Sequence, residues 1–312
     1  MKLAADARRC GILLGEVVLA IVAVSLLVRT SRDGSEAVEA AAGGSCSRIV
    51  SMSPSITETL FALGLGERVV GVTRYCNYPP EAKALPQIGG WLDPSYEAIV
   101  ALRPDLIVTR EGSDQSTATL RQLGLDTLVV HHDHLEGILD SFTTIGGRCG
   151  ADGEAERLVG QIRQKMDEIR QRTASLPRPR VLFVAERTLD SGEIQDLYAA
   201  GADGFINRVI ELAGGSNVCA ETAGGFPVLS AEGILKLNPE VIVDLVPNLP
   251  QQPRDRQALL GDWRQLAELD AVRHGRVHVL DDDYAFIPGP RFILLAEKLA
   301  RLFHPEEDWS RL

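Results

Sequence analysis

The sequence predicts an α/β protein: two similar Rossmann-like lobes with parallel sheets, joined by one long α-helix. Three observations carry this reading. An internal repeat spans both halves, strands apolar on both faces alternate with helices, and one charged amphipathic helix lies between the halves. Residues 95–108 are SYEAIVALRPDLIV and residues 230–243 are SAEGILKLNPEVIV. Ser, Glu, Ile, Leu, Pro, Ile and Val coincide at a constant offset. In each copy Ser caps a helix whose first turn carries Glu, and apolar residues follow at helical spacing. Pro104 and Pro239 stop the helix. The runs Leu106–Val108 and Val241–Val243 then suit buried parallel strands.

The segments before each copy also match. TLFALGLGERVVGV (Thr59–Val72) and VIELAGGSNVCA (Val209–Ala220) each read as a helix tail, a Gly-rich stop and a short strand. A weaker pair of strands is Thr127–Val130 and Arg276–Leu280. Strands alternating with helices imply right-handed crossovers. Between the halves, Ala151–Ser175 carries Leu158, Ile162, Met166 and Ile169 at three- and four-residue spacing among many charges, which is one long helix. Pro177 and Pro179 end it, and Val181–Val184 opens the second sheet. The division is therefore 1–46, 47–150 (N-terminal lobe), 151–176 (connecting helix) and 177–312 (C-terminal lobe). Ligands of open α/β sheets bind beyond the carboxyl ends of the strands, which places a site in the cleft between facing lobes.

Composition narrows the function. The chain has 312 residues, 45% of them hydrophobic, and a formal net charge of -11. That is enough for about two domains, and the missing basic footprint argues against a nucleic-acid partner. At the N-terminus Lys2, Arg8 and Arg9 precede an apolar run, Gly11–Val28, interrupted by Glu16 and followed by Arg29 and Arg32. This reads as an export signal or an uncleaved membrane anchor, with a small, polar linker after it. Both forms put the rest of the chain outside the cytoplasm, where disulfides are permitted.

RIVSMSPSITETLFALGLGERVVGV (Arg48–Val72), YCNYPPEA (Tyr75–Ala82), the GGW of Gly89–Trp91, YEAIVALRPDLIV, IELAGGSNV (Ile210–Val218) and Pro290-Arg291 occur in an order and spacing that resemble the helical-backbone (class III) periplasmic substrate-binding proteins of ABC importers. Within that family the stretches are most similar to the cobalamin receptors; haem and iron-siderophore receptors share the architecture. The resemblance implies an extracytoplasmic binding protein, periplasmic or on the outer face of the inner membrane, that delivers a corrinoid to a permease dimer. It implies no enzyme activity and no cofactor, and membrane association only through the N-terminus. GxSxG, P-loop, GxGxxG and HExxH are absent, so an exported α/β enzyme is the weaker alternative.

A planar, largely apolar ligand needs rigid aromatic surfaces and a few polar anchors. Tyr75, Tyr78 and Trp91 fall in loops after N-lobe strands, and Tyr198, Phe226 and Tyr284 in C-lobe loops. The bland alternative for each is packing in its own lobe. The resemblance assigns ligand contact to Tyr75, Trp91, Tyr198, Phe226, Asp283 and Tyr284. Asn77 joins that set, although it stands where the family pattern often has Asp. HHDH (His131, His132, His134) looks like metal ligands, but adjacent strand residues point opposite ways, so no metal site is assigned. Glu97 and Glu232 occupy equivalent first turns. A carboxylate there complements the helix dipole by about 0.3–1 kcal/mol; the resemblance adds docking of one glutamate per lobe onto permease arginines.

Four cysteines of the exported region, Cys46, Cys76, Cys149 and Cys219, allow three full pairings. Cys46 precedes the first strand and Cys149 ends the helix before the strut. Strand starts and helix ends share the face away from the cleft, so these two are the expected disulfide. Cys76 and Cys219 follow strands and are expected nearer the cleft. A helical strut predicts only slight closure around a ligand.

Overall fold

The computed structural model describes residues 46–310 except Ala223 and Pro253. Apart from Cys46, the expected export segment lies outside the described residues. Among the described residues no helix is long and apolar enough to cross a membrane.

The N-terminal lobe is a four-stranded sheet of β1 (Ile49–Ser51), β2 (Val69–Val72), β3 (Leu106–Arg110) and β4 (Thr127–Val130), in the order β2-β1-β3-β4. All pairs are parallel, with Ile49 opposite Leu106 and Ile107 opposite Thr127. Helix α1 (Pro54–Ala62) begins where Ser53 accepts a hydrogen bond from the Ile56 amide at 3.4 Å, with Pro54 in its first turn. Helices α2 (Tyr96–Ala101), α3 (Asp114–Gln122) and α4 (Leu135–Cys149) complete the lobe. The 22-residue helix α5 (Asp152–Thr173) is the strut, about 33 Å long at 1.5 Å per residue.

The C-terminal lobe has a parallel core: β5 (Arg180–Arg187) pairs with β7 (Ser216–Asn217) and β9 (Val241–Leu245), and β9 with β10 (Val277–Leu280). The expectation of purely parallel sheets needs one amendment. β6 (Leu197–Ala199) runs antiparallel to β5, and β8 (Val228–Leu229) antiparallel to β6. The 188–196 connection is too short for the crossover that a parallel strand requires, so the chain turns straight back. Helices α6 (Phe205–Leu212), α7 (Ala231–Leu237), α8 (Arg256–Asp262), α9 (Asp270–Arg273) and α10 (Phe292–Phe303) follow. In β9, fully buried Asp244 accepts from Arg187 and from the Trp263 indole, each at 2.9 Å.

The two repeat copies match down to their caps. Ser95 accepts from the Ala98 amide at 3.3 Å, and Ser230 from the Gly233 amide at 3.2 Å. Both helices are followed by a non-glycine residue at positive φ directly before the proline: Arg103 at 47° and Asn238 at 40°. An arginine at the start of the neighbouring strand holds the freed carbonyls in each case. Arg48 donates to Leu102 O at 2.6 Å and to Arg103 O at 3.1 Å. Arg180 donates to Leu237 O and, at 3.2 Å, to Asn238 O. A carboxylate one residue past the proline then accepts from the arginine's own amide: Asp105 from Arg48 at 3.0 Å, Glu240 from Arg180 at 2.8 Å.

The strut does not simply bridge two separate cores. Ile138 and Phe142 of α4, Ile162 and Met166 of α5, and Val209, Phe183 and Leu299 of the C-terminal lobe belong to one buried apolar cluster. A second contact joins the lobes across the cleft floor. Arg291 donates to both oxygens of Glu58 on α1, at 2.9 and 2.6 Å. Gly289 sits so close to α1 that a Cβ there would lie 3.2 Å from the Ser55 Cα. On the face away from the cleft, Cys46 and Cys149 are joined in a disulfide with their Cα atoms 5.3 Å apart. Cys76 and Cys219 are buried free thiols.

Candidate functional site

The carboxyl ends of β3 and β4 present Arg110 and His132 to the C-terminal lobe, where Phe205, Phe226 and Phe286 face them around a cavity of 370 Å³. A second cavity of 390 Å³ continues along the C-lobe wall, lined by Tyr198, Glu186 and the same Phe226 and Phe286. The wall is anchored in the core: Phe183 of β5 meets Phe286 edge-on at 6.2 Å, and Phe286 holds Phe226 at 5.7 Å. Phe226 and Tyr198 remain about half exposed, at 50% and 47%, which leaves aromatic surface available to a ligand.

The opposing wall is polar where it is charged and apolar beneath. The Arg110 guanidinium lies 4.6 Å from the Trp91 ring centroid, and Trp91 packs against the small N-lobe cluster around Val50, Met52 and Ile107. Burial lowers the Arg110 pKa from its usual value. His132 is 3% exposed. Its ring nitrogens meet Ser55 Oγ at 3.0 Å and Ser141 Oγ at 2.9 Å. Burial, and then the neighbouring Arg110 charge, push its pKa down to about 3, so it is neutral in the working range.

At the floor, Arg291 lies 3.9 Å from the Tyr78 ring centroid and 5.3 Å from that of Tyr284. It also donates to Asp283 at 2.7 Å. Burial outweighs the pairing and holds the Glu58 carboxyl above the usual range. Burial, then a hydrogen bond with Asp282, raises the Tyr284 phenol.

The expected ligand contacts thus divide into four groups. Tyr198 and Phe226 line the cleft together. Trp91 reaches it through Arg110, while Asp283 and Tyr284 belong to the Arg291 cluster at the floor. Tyr75 and Asn77 are exposed on the loop after β2 and line none of the cavities described here. Arg110, Phe205 and Phe286 were not picked out from the sequence, and His132 was considered there only as a metal ligand. An arginine or histidine just past a buried strand was the available signal.

The three histidines have separate local roles. His134 caps α4, its Nδ1 accepting from the Gly137 amide at 2.7 Å. His131 is exposed, with Nδ1 4.0 Å from Glu111. Glu97 and Glu232 are both exposed in the first turns of α2 and α7, and Glu232 pairs with Lys236 at 2.9 Å. A depression of 770 Å³ beside the strut is larger than either cleft cavity. It is lined by His134, Leu135 and Glu136 at the start of α4, Arg170 of the strut, and Arg178, Arg208 and Glu211 of the C-terminal lobe, with none of the cleft aromatics among them.

A family model described as periplasmic binding protein matches residues 49–284. The chain is 31% identical over 266 residues to an uncharacterized ABC transporter substrate-binding lipoprotein, YvrC, of Bacillus subtilis, covering 83% of this chain and 80% of that protein. It is 27% identical to a vitamin B12-binding protein of Yersinia pestis, covering 81% and 85%. Among solved structures, the periplasmic heme-binding protein RhuT from Roseiflexus sp. RS-1 aligns at a TM-score of 0.71 and 31% identity, over 83% of this chain and 98% of that one. The periplasmic vitamin B12 binding protein BtuF of Vibrio cholerae aligns at 0.71 and 25%, over 84% and 98%. With two α/β lobes on a helical strut and an aromatic cleft between them, the chain belongs to the periplasmic binding protein family: it is a substrate-binding protein of an ABC transporter and not an enzyme.

Proposed function

We propose that this protein captures a corrinoid of the cobalamin type in the inter-lobe cleft, outside the cytoplasm, and delivers it to a dimeric ABC permease. The observation that carries the ligand class is the aromatic wall of Tyr198, Phe226 and Phe286, backed by core Phe183. Such a wall suits a flat, rigid, largely apolar ligand. Similarity to vitamin B12-binding proteins favours a corrinoid. Haem is the second reading, favoured by 31% identity to a heme-binding structure. Isothermal titration of residues 46–312 with cyanocobalamin, hemin and a ferric siderophore tests it. Micromolar or tighter cobalamin binding is expected. Haem binding without a cobalamin signal transfers the assignment to haem.

Delivery needs a docking surface on each lobe. Glu97 and Glu232 lie at helix starts that follow the same rule in both lobes, so they present carboxylates at equivalent points of a pseudo-twofold receptor to a twofold partner. The exposed Lys236 pair at Glu232 is worth little and yields readily to a bidentate arginine. The N-terminal segment would hold the receptor at the outer face of the inner membrane or release it to the periplasm.

A further inference from the structure

Arg110 stands apart from the other cationic side chains of the interior. Arg187 and Arg254 meet Asp262, and Arg291 meets Glu58 and Asp283. Arg110 has no carboxylate within ion-pair reach among the described residues. Its Nε is buried without a hydrogen-bond partner. No group around it forms an ion pair or hydrogen bond with the guanidinium. His132 is occupied by Ser55 and Ser141. Adjacent Glu111 acts on Arg110 through its charge only; its Oε1 accepts from the His132 amide at 2.9 Å and its Oε2 is buried without a hydrogen bond. Across the cavity, Asp203 accepts from the Gly224 amide at 3.1 Å, and the remaining wall is Phe205, Phe226 and Phe286. A guanidinium held against Trp91, at the end of a rigid strand and inside an apolar cavity, is oriented before any ligand arrives. An unpaired cation in such a place is costly, and an incoming oxyanion recovers that cost through charge-assisted hydrogen bonds.

From this geometry we infer that Arg110 is a specificity-determining anion anchor: it selects, among flat apolar ligands, those that carry a carboxylate or phosphate at the edge facing β3. The inference rests on the tetrapyrrole reading above and sharpens it. The oxyanion has two chemical sources, the phosphodiester of a cobalamin nucleotide loop or the carboxylates of a porphyrin. Each has a counterpart without the charge.

The test is titration of the purified full chain, wild type and Arg110→Gln, with cyanocobalamin, dicyanocobinamide (no phosphodiester), hemin and hemin dimethyl ester (no free carboxylate). In the wild type, the oxyanion-bearing member of one pair should bind about 10–100-fold more tightly than its counterpart. Arg110→Gln should collapse that ratio to about 2-fold while leaving the affinity of the counterpart nearly unchanged. The pair whose ratio collapses identifies the source of the anion. Arg110→Lys, which keeps the charge without the fork, should retain part of the preference and serves in its place if the Gln variant does not fold. A ratio that survives Arg110→Gln overturns the anchor while the tetrapyrrole reading stands. Equal losses for both members of a pair also overturn it, since they mark Arg110 as a support for Trp91 or a partner of Asp203. Absence of wild-type binding to all four probes removes the tetrapyrrole reading itself and the anchor with it.

Discussion

The HHDH run spreads its side chains over separate tasks, and His132 has the largest energetic consequence. Its imidazole is held neutral between two serine hydroxyls, with a pKa pushed to about 3, against about 6.5 in an unfolded chain. Between those values the unfolded state binds the extra proton, so stability rises with pH and is lost on acidification. The slope from this residue is about 1.4 kcal/mol per pH unit, or roughly 2–4 °C in Tm for a chain of this size. Thermal melts from pH 6.5 down to 4 should show that slope, and His132→Gln should flatten it. The aromatic wall gives a second expectation. Tyr198→Ala and Phe226→Ala should each weaken ligand binding by about tenfold, while Tyr75→Ala, on an exposed loop outside the cavities, should change it by less than about twofold. Titration of the three variants checks this. At this scale the sequence showed which aromatics were candidates. It could not show that Arg110 forms no ion pair among the described residues, because that depends on where the carboxylates of both lobes end up.

At the scale of elements, the repeat was the most legible feature, because cap, helix and strand are all specified within fourteen neighbouring residues. What joined each copy to its sheet was not legible. Arg48 and Arg180 lie far along the chain from the carbonyls they hold, and Asp105 and Glu240 look like ordinary surface carboxylates. Replacing either arginine by alanine strips the freed carbonyls of their partner and should cost about 1–2 kcal/mol. The two clasps serve different sheets and share no partner, so the double variant should lose the sum to within about 0.5 kcal/mol. Chemical denaturation would measure both, and ligand affinity should stay unchanged. The antiparallel edge escaped notice because β6 and β8 span only three and two residues, too few for any periodicity to register.

For the whole molecule, the strut and the floor limit motion. One apolar cluster runs through α4, α5 and the C-terminal lobe, and Arg291 ties Glu58 of the other lobe with side-chain exposures of 13% and 2%. Opening would have to break both, so small-angle scattering should show little change in the radius of gyration when ligand binds. Arg291→Ala would leave the Glu58 carboxylate buried without its partner, at a cost of about 3–5 kcal/mol. Calorimetry of Arg291→Ala beside Glu58→Gln with Arg291→Met, which removes both charges, should show the double variant as the more stable. The overall architecture followed from local patterns, but the floor contact did not, since Glu58 and Arg291 are 233 residues apart in the chain.

In the proposed function, this receptor captures a corrinoid in its cleft and passes it to a permease through one glutamate on each lobe. The most direct measurement is uptake of labelled cobalamin by cells that retain the importer but carry, in place of this chain, either the wild type or Glu97→Arg with Glu232→Arg. Uptake should be restored by the wild type and lost in the double reversal, although the purified variant should bind cobalamin with near wild-type affinity and melt at the same temperature. Uptake that persists in the double reversal, or in cells with no copy of this chain, would contradict it.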